Sequence, residues 1–185
     1  MPRLTLIGYR GTGKSTVAAC VARRLGCGWV DADAVLEKRL GCSIATLVHE
    51  RGEVVFRDEE AAELDVLLAR CDGVLATGGG VVLRPVNREA LVRRGRPIVW
   101  LTAPAETIRG RLAADPATAS RRPALATMAD GTTSGDPLAE VDAALAVREP
   151  LYRSCADASF DTSRESPEAI AARIVAWLAA GGRAS

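Results

Sequence analysis

The stretch that decides the fold reads LTLIGYRGTGKSTVAACVARRL and covers residues 4–25. It opens with a four-residue apolar run, and residues 8–15 then fit the pattern G-x-x-x-x-G-K-[ST] directly before a segment with helical periodicity. Glycines in such a loop let backbone N–H groups surround phosphates, and the helix N-terminus adds a partial positive charge. The sequence therefore predicts a nucleotide-binding loop; the alternative is a glycine-rich turn that Ser15 caps.

The side chains of this loop have separate expected tasks. Lys14 would reach the β and γ phosphates of the nucleotide, and the Ser15 hydroxyl would ligate Mg²⁺. We expect nucleotide contacts from six consecutive residues: Gly11, Thr12, Gly13, Lys14, Ser15 and Thr16.

Length and composition predict one globular domain over residues 1–185. Hydrophobic residues make up 48% of the chain, and 24 basic against 23 acidic side chains leave a net charge of +1, which argues against a nucleic-acid partner. We find no signal peptide and no apolar stretch of membrane-spanning length, so we expect a cytoplasmic protein without a membrane partner. The five cysteines include no C-x-x-C pair and have a single histidine as company, which predicts reduced thiols rather than a zinc site or a disulfide framework.

Short apolar runs alternate with helical segments along the chain. Five runs predict strands, at residues 4–7, 28–30, 74–76, 98–101 and 158–160. Helical periodicity follows each of them, near residues 14–25, 34–70 in pieces, 86–94, 104–113 and 166–180. This alternation predicts a parallel sheet covered on both faces, with functional groups in the loops that begin at Gly8, Asp31, Gly78 and Thr102.

Two carboxylates follow the second predicted strand. Asp31 and Asp33 occupy alternate positions of an extended segment, so we expect their side chains to project to opposite sides before the chain turns into a helix. One would hold a metal-bound water, and the other would accept the proton of an attacking hydroxyl. Aspartate is also a common helix N-cap, and this alternative stays open.

Three glycines and two arginines complete the candidate binding residues. Gly78, Gly79 and Gly80 follow the third predicted strand, where such a run lets another group approach the backbone closely, the alternative being a flexible loop. Arg57 lies on a predicted helix, and Arg148 lies further along the chain. A guanidinium binds a planar carboxylate through two parallel donors, although either arginine could be a solvated helix charge.

Residues 113–135 break the alternation of strands and helices. The segment is rich in Ala, Thr, Asp, Gly and Pro and has no apolar period, so we predict a mobile loop. Arg121 and Arg122 in its middle favour a lid that carries positive charge over a surface insertion without a role.

Taken together, these motifs resemble those of the shikimate kinases, small-molecule kinases with a phosphate-binding loop, over nearly the whole chain. The elements follow the order of that family: the loop at 8–15, D-x-D at 31–33, F-R at 56–57, G-G-G at 78–80, R-P-x-L at 122–125, R-x-P-L-Y at 148–152 and D-T-S-x-x-S-P at 161–167. The resemblance implies a three-layer α/β/α fold with a five-stranded parallel sheet of strand order 2-3-1-4-5. It also implies a substrate-binding region near residues 33–60 and a mobile lid near residues 113–135.

The resemblance further implies a reaction: transfer of the γ-phosphoryl of ATP to the 3-hydroxyl of shikimate, on the route to aromatic amino acids, with Mg²⁺ as cofactor. Asp33 would hold the substrate hydroxyls and act as base or orienter, and Asp31 would touch the hydration shell of Mg²⁺. Arg57 and Arg148 would bind the substrate carboxylate, with the three glycines near the ring.

On the nucleotide side, Arg111 and Pro167 would enclose the adenine, and Arg122 would close over the phosphates. Catalysis would then rest on Lys14, Asp33 and Arg122. The implied partners are ATP and shikimate, and the expected state is a monomer.

The chain departs from the family pattern in the predicted lid, which is longer than in many members. It reads R-P-A-L at 122–125 where R-P-L-L is usual, and a second arginine precedes this motif, so either Arg121 or Arg122 would meet the phosphates. Two other functions stay open: a kinase for another polyol acid such as gluconate, and a nucleotide-dependent regulator without turnover. The glycine run and the Arg148 motif favour shikimate, and Lys14 with Asp33 favours turnover.

Overall fold

The computed structural model describes residues 1–114 and 140–182. Its five strands form one parallel sheet in the order β2-β3-β1-β4-β5. The strands are β1 (Leu4–Ile7), β2 (Trp29–Asp31), β3 (Val74–Ala76), β4 (Ile98–Thr102) and β5 (Ala158–Asp161). The helices described are α1 (Lys14–Leu25), α2 (Ala32–Leu40), α3 (Ile44–Arg70), α4 (Pro85–Arg94), α5 (Ala105–Ala114), α6 (Glu140–Cys155) and α7 (Pro167–Ala179). The predicted three-layer α/β/α fold and its strand order are confirmed.

Hydrophobic clusters cover both faces of the sheet. Ile98 and Trp100 of β4 pack with helices α3, α4, α5 and α6, whereas Val99 and Leu101 pack with α1 and α7. Neighbouring residues of a strand point to opposite faces of the sheet. A strand that is covered on both faces therefore needs apolar residues at successive positions. Polar groups therefore collect beyond the ends of the strands, where the functional residues are expected.

Local signals set the ends of several helices. Asp31, Ser43 and Ser166 each cap the helix that follows them, respectively α2, α3 and α7, by accepting a backbone N–H with a side-chain oxygen. Helix α3 is interrupted at Gly52, whose φ of 85° and ψ of 164° are not helical. The interruption agrees with the prediction of a helical region in pieces.

Helix α6 differs from the sequence-based expectation, which contains no helix between residue 113 and the last strand. Pro150 lies inside this helix, where a proline removes a backbone donor and crowds the preceding turn. One face of α6 is nevertheless buried at intervals of three or four residues, by Val141, Ala144, Arg148, Tyr152 and Cys155. Packing of that face stabilises the helix and outweighs the unfavourable effect of Pro150.

The Asp31 and Asp33 pair does not lie on one extended segment, so that prediction is wrong. Asp31 ends β2 and caps α2, and its Oδ1 accepts the backbone N–H of Asp33, which lies in the first turn of the helix. The N-cap alternative is therefore correct for Asp31.

The predicted lid falls mostly beyond the described part of the chain. Its first two residues, Ala113 and Ala114, are the end of α5. Residues 115–135, which include Arg121 and Arg122, lie outside the described residues.

Two further expectations concern thiols and membrane spans. All five cysteines lie within the described residues and are free. Among the helices of residues 1–114 and 140–182, none is long and apolar enough to cross a membrane.

Candidate functional site

A cavity of about 410 Å³ lies beyond the carboxyl ends of β1, β2 and β3. Eight predicted site residues line it: Gly11, Gly13, Lys14, Ser15, Thr16, Asp31, Asp33 and Arg111. The fold thus brings the nucleotide-binding loop and both carboxylates of the D-x-D motif to one place. Asp31 contributes to this cavity from the end of β2 and Asp33 from the first turn of α2.

The loop of residues 8–15 is shaped by its backbone. Gly11 and Gly13 have φ values of 77° and 85°, in the left-handed region that favours glycine, and Gly13 is the N-cap of α1. The buried Thr12 hydroxyl donates a hydrogen bond to the Tyr9 carbonyl oxygen at 2.7 Å, so Thr12 supports the loop from behind and does not line the cavity. The N-terminus of α1 consequently faces the cavity, as anion binding requires.

Lys14 is held at the mouth of this loop. Its ammonium donates to the carbonyl oxygens of Gly8, at 2.8 Å, and Tyr9, at 2.9 Å, and the side chain is buried. It lines the cavity as well, so its charge lies where the phosphates of a nucleotide would bind.

Ser15 and Asp31 join the loop to helix α2. The Ser15 hydroxyl donates to Oδ2 of Asp31, whose Oδ1 accepts the backbone N–H groups of Asp33 at 3.0 Å and Ala34 at 3.2 Å. Hydroxyl and carboxylate oxygens suit a hard divalent cation such as Mg²⁺. In the part of the chain that the structure describes, no group of three or more His, Cys, Asp or Glu side chains could hold a metal. The protein would supply only some of the ligands there, as in Mg²⁺ sites completed by phosphates and water.

Asp33 connects the cavity to a second group of buried charges. A Cβ atom on Gly78 would lie 2.7 Å from Oδ1 of Asp33 and 2.8 Å from Oε1 of Glu60. Only a glycine leaves room for both carboxylates at this point of the backbone. The close approach predicted from the glycine run is therefore made by side chains of the chain itself.

Arg57 lies in this second group, on α3. Its Nη1 donates to Glu60 at 2.8 Å, and its Nε and Nη2 donate to Glu53 at 3.2 Å and 3.1 Å. A Cβ on Gly80 would lie 2.3 Å from Nη1, so the guanidinium packs directly on the glycine backbone. Burial lowers the pKa of Arg57, but Glu60 and Glu53 raise it by more and keep the group charged.

Glu60 lies among the other charges of the group. Burial raises its pKa, and Asp33 adds to this effect, whereas Arg57 and Arg148 oppose it. Its Oε2 accepts from Arg57, and its Oε1 is buried without a hydrogen-bond partner among the described residues. Asp33, Arg57, Glu60 and Arg148 are called the substrate cluster below, after the role that the sequence analysis predicts for Asp33 and the two arginines.

Arg148 approaches the substrate cluster from helix α6. It is 8% exposed, and its Cζ lies 5.2 Å from the centre of the Tyr9 ring. One turn further along α6, the Tyr152 hydroxyl donates to the carbonyl oxygen of Gly79. The glycine run is thus fixed to the helix that carries Arg148.

The predicted adenine residues come from two parts of the chain. Arg111 of α5 donates to the carbonyl oxygen of Gly11 at 3.1 Å and to the side chain and carbonyl of Thr162 at 3.0 Å and 2.5 Å. Pro167 begins α7 and does not line the cavity. Arg57, Arg148 and the three glycines also lie outside the cavity lining, behind Asp33.

Sequence reasoning missed three residues of this site: Glu53, Glu60 and Tyr9. The glutamates carry a sequence signal, because they lie four residues before and three residues after Arg57 on one helix, where opposite charges pair. Tyr9 carries no such signal, since its partner Arg148 is far away in the chain.

Comparisons with known proteins agree with this geometry. The family model described as Shikimate kinase matches residues 10–179. A shikimate kinase of Oleidesulfovibrio alaskensis is 41% identical over 182 residues, which cover 98% of this chain and all of that protein. A shikimate kinase of Nitratidesulfovibrio vulgaris is 45% identical over 154 residues, which cover 83% of each chain.

Solved structures give the same result. Shikimate kinase from Acinetobacter baumannii in complex with shikimate superposes with a TM-score of 0.85 and 32% identity, over 96% of this chain and 93% of that one. The family model and the relatives span nearly the whole chain. The chain therefore belongs to the shikimate kinase family, whose members are ATP-dependent kinases.

Proposed function

We propose that the chain transfers the γ-phosphoryl group of ATP to the 3-hydroxyl of shikimate, giving shikimate 3-phosphate and ADP. The observation that carries the proposal is the position of Asp33, which lines the cavity together with Lys14 and also belongs to the substrate cluster. A donor phosphate and an acceptor hydroxyl would therefore meet at this carboxylate. The shikimate bound to the relative from Acinetobacter baumannii supports the choice of acceptor.

The loop of residues 8–15 binds the phosphates of ATP. Its backbone N–H groups and the N-terminus of α1 supply partial positive charge, and the Lys14 ammonium supplies a full charge beside the group to be transferred. These donors are fixed before the nucleotide arrives, so little reorganisation is needed when charge develops in the transition state.

Asp33 accepts a hydrogen bond from the attacking hydroxyl and holds it in line with the γ-phosphorus. Whether the proton moves early or late, a carboxylate at this place orients the nucleophile. The neighbouring Glu60 does not line the cavity, so Asp33 is the one of these two carboxylates that faces it.

Arg57 and Arg148 bind the carboxylate of shikimate. Two buried guanidiniums offer several N–H donors in fixed planes, which suits a planar anion with two oxygens. Gluconate also carries a carboxylate, so selection between the two acids rests on how the ring hydroxyls fit against Asp33 and the glycine run.

We further propose Mg²⁺ as the divalent cation, with Ser15 as a ligand and Asp31 acting through water. When bound, the ion neutralises charge on the phosphates of ATP. Removal of divalent ions with EDTA should abolish turnover, and a titration with Mg²⁺ should restore it.

Residues 33–60 form the substrate-binding region in this proposal, within one domain over residues 1–185 that acts as a cytoplasmic monomer. Size-exclusion chromatography with light scattering tests the monomer. Arg111 and Pro167 remain our candidates for the adenine site.

Arg122 remains the candidate that stabilises charge on the transferring phosphoryl group. We expect Arg122→Ala to lower kcat by about 10²-fold and Arg121→Ala by less than about 10-fold. A larger loss for Arg121→Ala would move the role by one residue.

A coupled assay of ADP release tests the reaction as a whole. We expect turnover with ATP and shikimate, little turnover with gluconate, and none without an acceptor. The product should carry its phosphate on the 3-hydroxyl, which ³¹P and ¹H NMR can establish. Faster turnover with gluconate would contradict the substrate, and nucleotide binding without turnover on any acceptor would favour a regulator.

A further inference from the structure

Both tyrosines of the chain lie beside Arg148. The Tyr9 ring is 2% exposed, and its centre lies 5.2 Å from Cζ of Arg148. Tyr152 lies one turn further along α6, and its ring stacks on Trp100 with a centroid distance of 5.9 Å. Tyr9, Tyr152 and Trp100 all belong to one buried hydrophobic cluster, so the position of the Tyr9 ring is fixed by packing.

The two arginines of the substrate cluster have different neighbours. Arg57 forms ion pairs with Glu53 and Glu60. The contacts of Arg148 include the ring of Tyr9 and a side-chain hydrogen bond with Tyr152. A ring attracts a guanidinium through the negative face of its π system and carries no net charge. The ring therefore attracts the arginine without adding an anion that would repel the carboxylate of the substrate.

Tyr9 also belongs to the phosphate-binding loop through its backbone. Its carbonyl oxygen accepts hydrogen bonds from the Lys14 ammonium at 2.9 Å and from the Thr12 hydroxyl at 2.7 Å. Replacement of the side chain leaves these backbone contacts possible. The centre of the ring also lies 5.7 Å from Cζ of Arg10, which lines the cavity. A side-chain variant of Tyr9 therefore removes the ring contacts with Arg10 and Arg148 and leaves the backbone contacts possible.

We propose that Tyr9 is a positioning residue for substrate binding, whose ring holds the Arg148 guanidinium in place for the carboxylate of shikimate. The inference rests on the proposed assignment of Arg148 to that carboxylate. It predicts that loss of the ring weakens shikimate binding while ATP binding persists.

Steady-state kinetics with each substrate varied in turn tests this role. We expect Tyr9→Leu to raise the KM for shikimate about tenfold, because the attraction between ring and cation is lost, and to leave the KM for ATP close to that of the wild type. Tyr9→Phe keeps the ring and should stay within about twofold of the wild type for both substrates. Equal KM values for shikimate in the Leu and Phe variants would overturn the proposal, because a purely structural core residue has no preference for a π face.

A matched control removes a similar ring from the other face of the sheet. Phe160 is buried there, its ring centre lies 5.3 Å from Cζ of Arg173, and it does not line the cavity. Phe160→Leu should leave the KM for shikimate unchanged, whatever it does to stability. An equal rise in both Leu variants would also overturn the proposal.

A second pair of variants decides the matter if Tyr9→Leu does not fold. Phenylalanine and pentafluorophenylalanine at position 9 have nearly the same shape, but fluorination reverses the charge distribution of the ring face. The fluorinated variant should have the higher KM for shikimate, and equal values would exclude a cation–π role.

Arg148→Lys separates this inference from the proposed function. If Arg148→Lys raises the KM for shikimate and Tyr9→Leu does not, only the role of Tyr9 is wrong. If neither variant changes that KM, the assignment of Arg148 to the substrate carboxylate is wrong, and the inference falls with it.

Discussion

The two halves of the site, the phosphate-binding loop and the substrate cluster, use different chemical groups. The phosphate-binding loop uses backbone N–H groups, glycines with positive φ, and the Lys14 ammonium, which donates to two carbonyl oxygens of the same loop. The substrate cluster uses buried side-chain charges that come from three separate helices, α2, α3 and α6. A backbone site is local in sequence and depends on a few residues, whereas a side-chain site depends on how distant segments pack.

The first way to break the nucleotide half is to remove its only ammonium. We expect Lys14→Ala to lower kcat by about 10²–10³-fold, since a fixed donor beside the transferred phosphoryl group is lost. Lys38→Ala is a matched control, because Lys38 is the other lysine of the chain and lies exposed on α2. Turnover near that of the wild type in a folded Lys14→Ala protein would remove the loop from the mechanism.

The second variant acts where the two halves meet. Asp33→Asn keeps the shape of the side chain but loses the charge that orients the attacking hydroxyl, so we expect kcat to fall by about 10²-fold. Calorimetry should show ATP binding close to that of the wild type. Asp72→Asn, an exposed position after α3, serves as control. An Asp33→Asn variant with normal turnover would leave catalysis to positioning alone or move the role to Asp31.

The contrast between the halves explains what the sequence could predict. The loop and the strands are encoded in adjacent residues, and their positions agree with the structure within a residue or two. The placement of Asp31 and Asp33 in the lining of one cavity is not encoded in that way, because it depends on where β2 ends and α2 begins.

The same reasoning applies to helix α6 and to Glu60. Pro150 disfavours a helix, but burial of one helix face outweighs this effect, and only the packed structure shows that face. Glu60 is an ordinary helical glutamate in the sequence. Its burial between Arg57 and Gly78 becomes visible only when α3 and the end of β3 are placed together.

A third variant sharpens the comparison by moving one side chain of the substrate cluster. An added Cβ at Gly80 would lie 2.3 Å from Nη1 of Arg57, so the guanidinium must shift away from its place. We expect Gly80→Ala to raise the KM for shikimate about tenfold, the worth of one charge-assisted hydrogen bond, with the KM for ATP nearly unchanged.

Gly110→Ala is the matched control for that variant. A Cβ at Gly110 in α5 meets nothing within 4 Å, and alanine favours a helix by about 1 kcal/mol over glycine. The control should therefore keep both KM values and unfold at the same temperature as the wild type or higher. If Gly80→Ala changed the KM for ATP and left the KM for shikimate unchanged, the separation of the two halves would be wrong.

The smallest effect is expected from the buried charge of Glu60. Its pKa in the folded protein is raised by burial, so the folded state binds this proton more tightly than the unfolded chain does. The stability that results is fully present below the unfolded pKa of about 4.3 and is lost as the pH rises through the folded pKa.

Glu60→Gln keeps an oxygen for Arg57 but cannot ionise. We therefore expect the free energy of unfolding of the wild type, measured by urea denaturation at several pH values, to fall relative to that of Glu60→Gln as the pH rises from about 4 to about 7. Parallel curves of unfolding free energy against pH for the two proteins would show that ionisation of Glu60 does not destabilise the fold. The substrate cluster and the phosphate-binding loop would then differ in geometry and not in the pH dependence of stability.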